Sequence, residues 1–387
     1  MVNASSLSHD LQKLVCELVA IESVNPDLVA TGSGESNIAA FVASWLASAG
    51  LSIQIVEPVP GRKSVIGVLA GAGGGASLML NAHMDTVGAG GMAAAFTPVV
   101  KEGRVYGRGA YDMKGSLAAI MIAAREAKRL RLLGDLVITA VADEEVASLG
   151  TAAVLARREA DAAIVTEPTE LRLCLAHKGF AWLSVETVGV AAHGSRADIG
   201  VDAVGRMGRI LTGIVDLDTR LRGGRGHPLL GTGSVHASLI AGGQEWSTYP
   251  ARCLVQVERR TIPGEDGAGA LREIEDVIAE ARREDPALSA SGSLVLERAP
   301  SQLGADSFVT ESVERAASES LGRKPEVIGV SYWMDMALLN AAQIPTVAFG
   351  PLGEGAHADV EWVDLASLET CVQVYLRAAE LICGTQS

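Results

Sequence analysis

Short apolar runs alternate with helical patterns through much of this chain, and the runs keep stopping at histidines or acidic residues. VIGVL at 65–69, SLMLNAHMD at 77–85, DLVITAVADEE at 135–145 and AAIVTEP at 162–168 read as strands. Leu117, Ile120, Met121 and Ala124 fall at i, i+3, i+4 and i+7, which predicts a helix following Asp112. This alternation predicts an α/β fold with a mostly parallel sheet covered on both faces. Sheets of that kind gather their chemistry at the carboxyl ends of their strands. His83, Asp112, Glu145, Glu167 and His357 each end such a run or sit in a glycine-rich loop. Two imidazoles and three carboxylates are the donor mix that zinc or a similar divalent ion takes.

The chain has 387 residues, too many for one ordinary core. From about His177 its texture changes. FAWLSVETVGV, GSVHASLIAG and ARCLVQVERRTIPG read as alternating, hairpin-like strands, separated by helical patterns in VDAVGRMGRILTGIV and GALREIEDVIAEARRE. This describes a small α+β domain. After about Pro300 the α/β texture returns, with IPTVAFG at 344–350 as a further buried strand. The expected organisation is a discontinuous catalytic domain, 1–177 and 297–387, interrupted by an inserted domain at 178–296. GAGGGA at 71–76 lacks the lysine and helix of a phosphate loop.

A net charge of −14 argues against nucleic acid or an anionic membrane as partner. The five cysteines are scattered and include no CxxC pair, which suggests a reducing compartment and a cytoplasmic protein. The first residues read as an amphipathic helix with Leu11, Leu14, Val15 and Leu18 on one face. No apolar stretch approaches the roughly 18 residues of a membrane span.

Individually the motifs are weak. His83-Met-Asp85 alone reads better as a structural histidine. On a strand, i and i+2 share a face, so Asp85 could brace the His83 ring or stand behind it. Asp112, in GRGAYDMKG, would equally suit a helix N-cap. Glu144-Glu145 says more, because two adjacent carboxylates directly follow a buried run and repel unless cations or solvent compensate. Charge arithmetic supports the set: two divalent cations and a hydroxide balance Asp112, Glu145 and Glu167. In that scheme Asp112 bridges the ions, His83 and Glu167 complete one site, and Glu145 and His357 the other. Glu144 is left to take a proton from the attacking water and deliver it to the leaving nitrogen.

NAHMDTV, GRGAYDMKG, ADEE, TEPT and GPLGEGAHADVEWV, in this order, resemble the M20 metallopeptidase family. The resemblance runs from VAIESVNP at 20–26 to EWV at 361–363. It implies a di-metal hydrolase domain with an inserted lid that often forms a dimer interface. It implies His83, Asp112, Glu145, Glu167 and His357 as ligands, Glu144 as general acid and base, and Asp85 as a supporting carboxylate. VAAHGSR resembles the lid segment whose histidine, here His193, reaches the substrate carbonyl, in dimeric members from the neighbouring subunit. ERRTIPGE resembles the strand bearing the arginine that reads a substrate carboxylate, here Arg260. Ser247, Glu258 and Met334 depart from the family's usual asparagine, aspartate and threonine, all where substrate would be read.

The expectation is therefore a metal-dependent amidohydrolase. It would remove an N-acyl group from an amino acid with a free carboxylate, by attack of water held between two divalent ions. Zinc is the first expectation for those ions, with cobalt or manganese also suitable. A dipeptidase or carboxypeptidase using the same site is the alternative, and a non-catalytic metal-binding module a third reading. The expected partners are an N-acyl amino acid or dipeptide and a second copy of the chain through the lid.

Overall fold

The computed structural model describes residues 4–386. They form two compact units. One holds the residues up to Leu175, then Leu303–Ile328 and Met334 onward; the other holds Ala176–Gln302 and Gly329–Trp333.

The first unit is built on one sheet with strand order Ser52–Val56, Ser64–Leu69, Leu136–Val141, Leu78–His83, Ala162–Val165, Thr346–Ala348 and Leu173–His177. The four strands from Leu136–Val141 to Thr346–Ala348 run parallel. Both flanks are antiparallel, so the sheet is mixed, and its parallel part is confined to the centre. Connection length explains the flank: only residues 57–63 join Val56 to Ser64, too few for the crossover that parallel neighbours require. Leu78–His83 and Leu136–Val141 are buried along their whole length. That is why their sequences run continuously apolar instead of alternating.

Helices cover this sheet. The expected helix is Gly115–Ala127, with Leu117, Ile120, Met121 and Ala124 all buried. Leu11, Leu14, Val15 and Leu18 are likewise buried on the helix Ala4–Ala20. The last helix, Leu365–Cys383, begins where the Asp364 carboxylate accepts the Ser367 N–H. A second, four-stranded sheet runs Gly353–Glu354, Trp362–Asp364, Arg104–Tyr106, Val99–Lys101. Its Trp362↔Tyr106 and Asp364↔Arg104 pairs bind the His357 loop to the Asp112 loop. The strands are two or three residues long, too short to show a period in the sequence.

The second unit is a four-stranded antiparallel sheet in the order Ser234–Gly242, Arg252–Thr261, Gly179–Val188, Ser289–Arg298. The helices Ala203–Gly223 and Gly267–Glu284 pack on one face. Met207, Ile210 and Ile214 meet Ile274, Val277 and Ile278 over Leu183, Val185, Val255 and Val257. The fourth strand, SASGSLVLER, is absent from the sequence reading because its first half is serine, alanine and glycine. Among the described residues no helix is long and apolar enough to cross a membrane.

Candidate metal centre

The parallel strands end together. His83 is the last residue of its strand, Glu144 and Glu145 follow Val141, Glu167 follows Val165, and Gly350 follows the Thr346–Ala348 strand after Phe349. Three of these four parallel carboxyl ends thereby bring one histidine and three carboxylates to one rim. Asp112 and His357 arrive from the loops that the small sheet joins.

Asp112 faces both histidines. Its Oδ1 lies 3.0 Å from His83 Nε2 and its Oδ2 3.4 Å from His357 Nε2. His83 Nε2 is 3.6 Å from Glu167 Oε1, and His357 Nε2 is 3.1 Å from Glu145 Oε2. Ligand atoms of His83, Glu144 and Glu167 all lie within 4.8 Å of one another, as do those of His83, Asp112 and Glu145. Asp112 is no N-cap: it lies in the turn Ala110–Lys114, and the helix after it has no side-chain cap. His83 and Glu167 are buried, Asp112, Glu144 and Glu145 are partly buried, and the His357 side chain is 54% exposed.

Asp85 stands differently from a strand-based bracing role. His83 Nδ1 bonds the backbone oxygen of Asp85 at 2.9 Å, while the Asp85 carboxylate stays 3.7 Å away. The strand ends at His83, so the two-residue alternation does not extend to position 85. The carboxylate instead accepts the Glu144 N–H at 3.1 Å and the Glu145 N–H at 3.2 Å.

The electrostatics are those of carboxylates competing for positive charge. Burial, then the neighbouring Glu167, push the Glu144 carboxyl well above its usual range. Burial raises Glu167 in the same way, and burial together with Asp112 raises Glu145. Burial opposes charge on His83, yet its hydrogen bond to Asp112 and the charges of Glu167 and Asp112 outweigh it and raise the imidazole well above normal. Hydrogen bonds to Asp112 and Glu145 lift His357 to about 10. Asp112 is held low despite burial by both histidines. Among the described residues Glu145 Oε1 is buried with no hydrogen-bond partner, a lone pair that a metal could take. Hard oxygens mixed with imidazole nitrogens suit divalent ions.

Sequence reasoning passed over the supports of this group. Glu361 accepts from Arg108 Nη1 at 2.8 Å and from the N–H groups of Gly109, Tyr111 and Asp112 at 3.0, 2.9 and 3.1 Å. Arg108 also donates to Gly88 O and to Ala358 O, beside His357. The adjacency of Glu361 to a motif was visible, but its partners are about 250 positions away.

His193 and Arg260 belong to the second unit. The exposed His193 ring bonds Ser195 Oγ at 2.8 Å, and its backbone bridges to Thr248. Arg260 donates through Nε to Glu258 at 2.7 Å, and its guanidinium lies 5.2 Å from the centre of the Phe180 ring. Within that unit they stand apart. His193 lies beyond the Arg252 end of the strand Arg252–Thr261 and Arg260 near its other end, about 26 Å away at strand rise.

Fold and site together define a metal-dependent hydrolase of amide bonds. Residues 79–381 match the peptidase family M20/M25/M40, and the chain belongs to that family. It is 30% identical to the acetylornithine deacetylase of Proteus mirabilis (strain HI4320) over 96% of both chains. The fold matches aminopeptidase PepT from Bacillus cereus with a TM-score of 0.80, 18% identity, and coverage of 97% of this chain and 98% of that one. A dinuclear metal binding peptidase of the M20 family from Bacillus subtilis matches with a TM-score of 0.76 and 16% identity, over 99% and 100% of the chains.

Proposed function

We propose that this enzyme removes an N-acyl group from an amino acid with a free carboxylate. The observation that carries the reading is Asp112, with one oxygen toward each histidine, and Glu144 beside His83 and Glu167. His83, Asp112 and Glu167 would hold one divalent ion, and Asp112, Glu145 and His357 the other. Zinc is the first expectation, with cobalt or manganese able to fill the same donors. Such a pair supplies acidified water and a polarised carbonyl. Glu144 takes the proton from the attacking water and gives it to the leaving nitrogen. Asp85 holds the backbone of Glu144 and Glu145 in place.

Similarity to an acetylornithine deacetylase over nearly the whole length supports an acyl amino acid as substrate. Arg260, steadied through Nε by Glu258, would offer its remaining N–H groups to the carboxylate. His193 would steady the oxyanion. Their separation within one lid means a single chain does not bring both to one small substrate. This supports a homodimer through the lid, with His193 supplied by the neighbour. Residues 1–177 and 297–387 would be the catalytic domain and 178–296 the lid. Five cysteines, none of them in a disulfide among the described residues, support a cytoplasmic setting.

The test is hydrolysis by zinc- or cobalt-loaded protein of N-acetyl-, N-succinyl- and N-benzoyl-amino acids beside matched dipeptides. Glu144→Ala is the blank, expected to keep its metal and lose about a thousandfold in kcat. Turnover of dipeptides alone would replace the deacylase reading with the peptidase one. Substantial turnover by the blank would refute the role of Glu144.

A further inference from the structure

Behind the Glu144–Glu145 turn lies a buried polar chain that meets the proposed ligands through the backbone of Asp85, at the His83 ring, and of the turn itself. Asn25 stands at its centre, with its amide nitrogen 2.8 Å from Asp85 Oδ2 and 3.0 Å from Asp143 Oδ1. Its own oxygen accepts the Asp27 N–H at 3.0 Å, so both ends of the amide are used. Asp143 Oδ1 also accepts from Arg62 Nη2 at 2.7 Å. The same guanidinium grips Glu35 through Nε and Nη2, each at 2.8 Å, and reaches Asp27 through Nη1. Asn25, Glu35, Asp85, Asp143 and Arg62 are all buried.

Two carboxylates of this chain set the turn. Asp85 accepts the N–H groups of Glu144 and Glu145, and Asp143, at φ +69°, opens the turn and accepts the Leu149 N–H. Four acidic side chains thus share one cation, Arg62, and one neutral donor, Asn25. Without the amide between them, Asp85 and Asp143 would face each other unscreened. They could then separate only by moving the backbone that carries Glu144 and Glu145. A general base acts only within hydrogen-bond reach of its proton, and misplacement by about 1 Å can cost a hundredfold.

We infer that Asn25 and Arg62 are positioning residues for the reaction, joining Asp85 to Asp143 and so aiming Glu144 and Glu145. The inference rests on the proposed roles of those two glutamates. Asn25→Asp keeps the shape, removes the donor and adds a charge. It lowers kcat by about 10- to 100-fold, the range usual for groups behind metal ligands, with KM changed less than about threefold. Arg62→Lys keeps charge without the fork and falls between wild type and Arg62→Met. Asn25→Ser, which retains a donor, falls between wild type and Asn25→Asp and serves if that variant does not fold.

The experiment measures kcat and KM alongside cobalt(II) titration followed by visible absorption and thermal unfolding. A changed cobalt spectrum together with the kcat loss supports the inference. A lower melting temperature with unchanged kcat and an unchanged spectrum makes the network merely structural and overturns it, as does a rise in KM at constant kcat. Glu144→Ala is measured beside them. If it keeps full turnover, the proposed chemistry has failed, and the cobalt spectrum alone then judges the network. If it is inactive while Asn25→Asp and Arg62→Met turn over normally, the positioning role is what has failed.

Discussion

Replacing Glu361 tests how the Asp112 and His357 loops are held. Its carboxylate is almost fully buried and accepts four N–H groups, one from Arg108 and three from the backbone at 109, 111 and 112. Removing one partner of a buried ion pair costs about 3–5 kcal/mol. Arg108 keeps Gly88 O and Ala358 O, which places the loss near the lower figure. Each stranded backbone donor adds about 1–3 kcal/mol, less where water enters the space. Glu361→Ala therefore loses about 6 kcal/mol at the lower figures, comparable to the whole stability of many domains. Glu361→Gln is the usable variant: one amide oxygen still accepts, the amide hydrogens face two donors, and the loss is about half as large. Urea unfolding of chelator-treated protein reads this without metal binding. A cycle with Arg108→Met should show coupling of about 1–3 kcal/mol. In the same variant cobalt affinity falls about tenfold or more, because the backbone of Asp112 loses its anchor. A loss below about 0.5 kcal/mol, or strict additivity with Arg108→Met, would refute the reasoning.

Arg260→Ala should lower kcat/KM for carboxylate substrates by about 10- to 100-fold, the worth of a charged hydrogen bond. The matched uncharged amide should be unaffected, and an equal loss on both would sink the carboxylate-reading role. Mixing inactive His193→Ala with inactive Glu144→Ala chains should restore turnover if neighbours share the site; continued silence after subunit exchange would argue for His193 acting in its own chain or not at all. His177 supplies a pH test: burial lowers its pKa from 6.5 to about 4, and its Nε2 has no hydrogen-bond partner among the described residues. The unfolded chain binds the extra proton first, so stability is full above about pH 6.5 and declines as pH falls toward 4, by at most about 3 kcal/mol. His177→Gln should flatten that decline in acid unfolding curves, and superimposable curves would refute it.

The continuous apolar runs ending at His83, Glu145 and Glu167 were enough to identify buried strands and the rim where their chemistry lies. That signal is local, since full burial makes every residue of a strand apolar and parallel strands end on one side. The helix after Asp112 and the α+β texture after His177 were legible for the same reason: period and composition are properties of neighbouring residues. The antiparallel flanks, the weak strand Ser289–Arg298 and the small sheet joining the Asp112 and His357 loops were not legible. Strand direction depends on connection length and pairing, and a strand of two or three residues has no period. The supports of the site were hidden by distance along the chain. Asn25 meets Asp85 and Asp143 across 60 and 118 positions, and Glu361 meets Asp112 across 249. A hydrogen bond between such residues leaves no pattern in one sequence, because only folding makes them neighbours. Local periodicity thus determined which residues could do chemistry, and tertiary packing decided what holds them there.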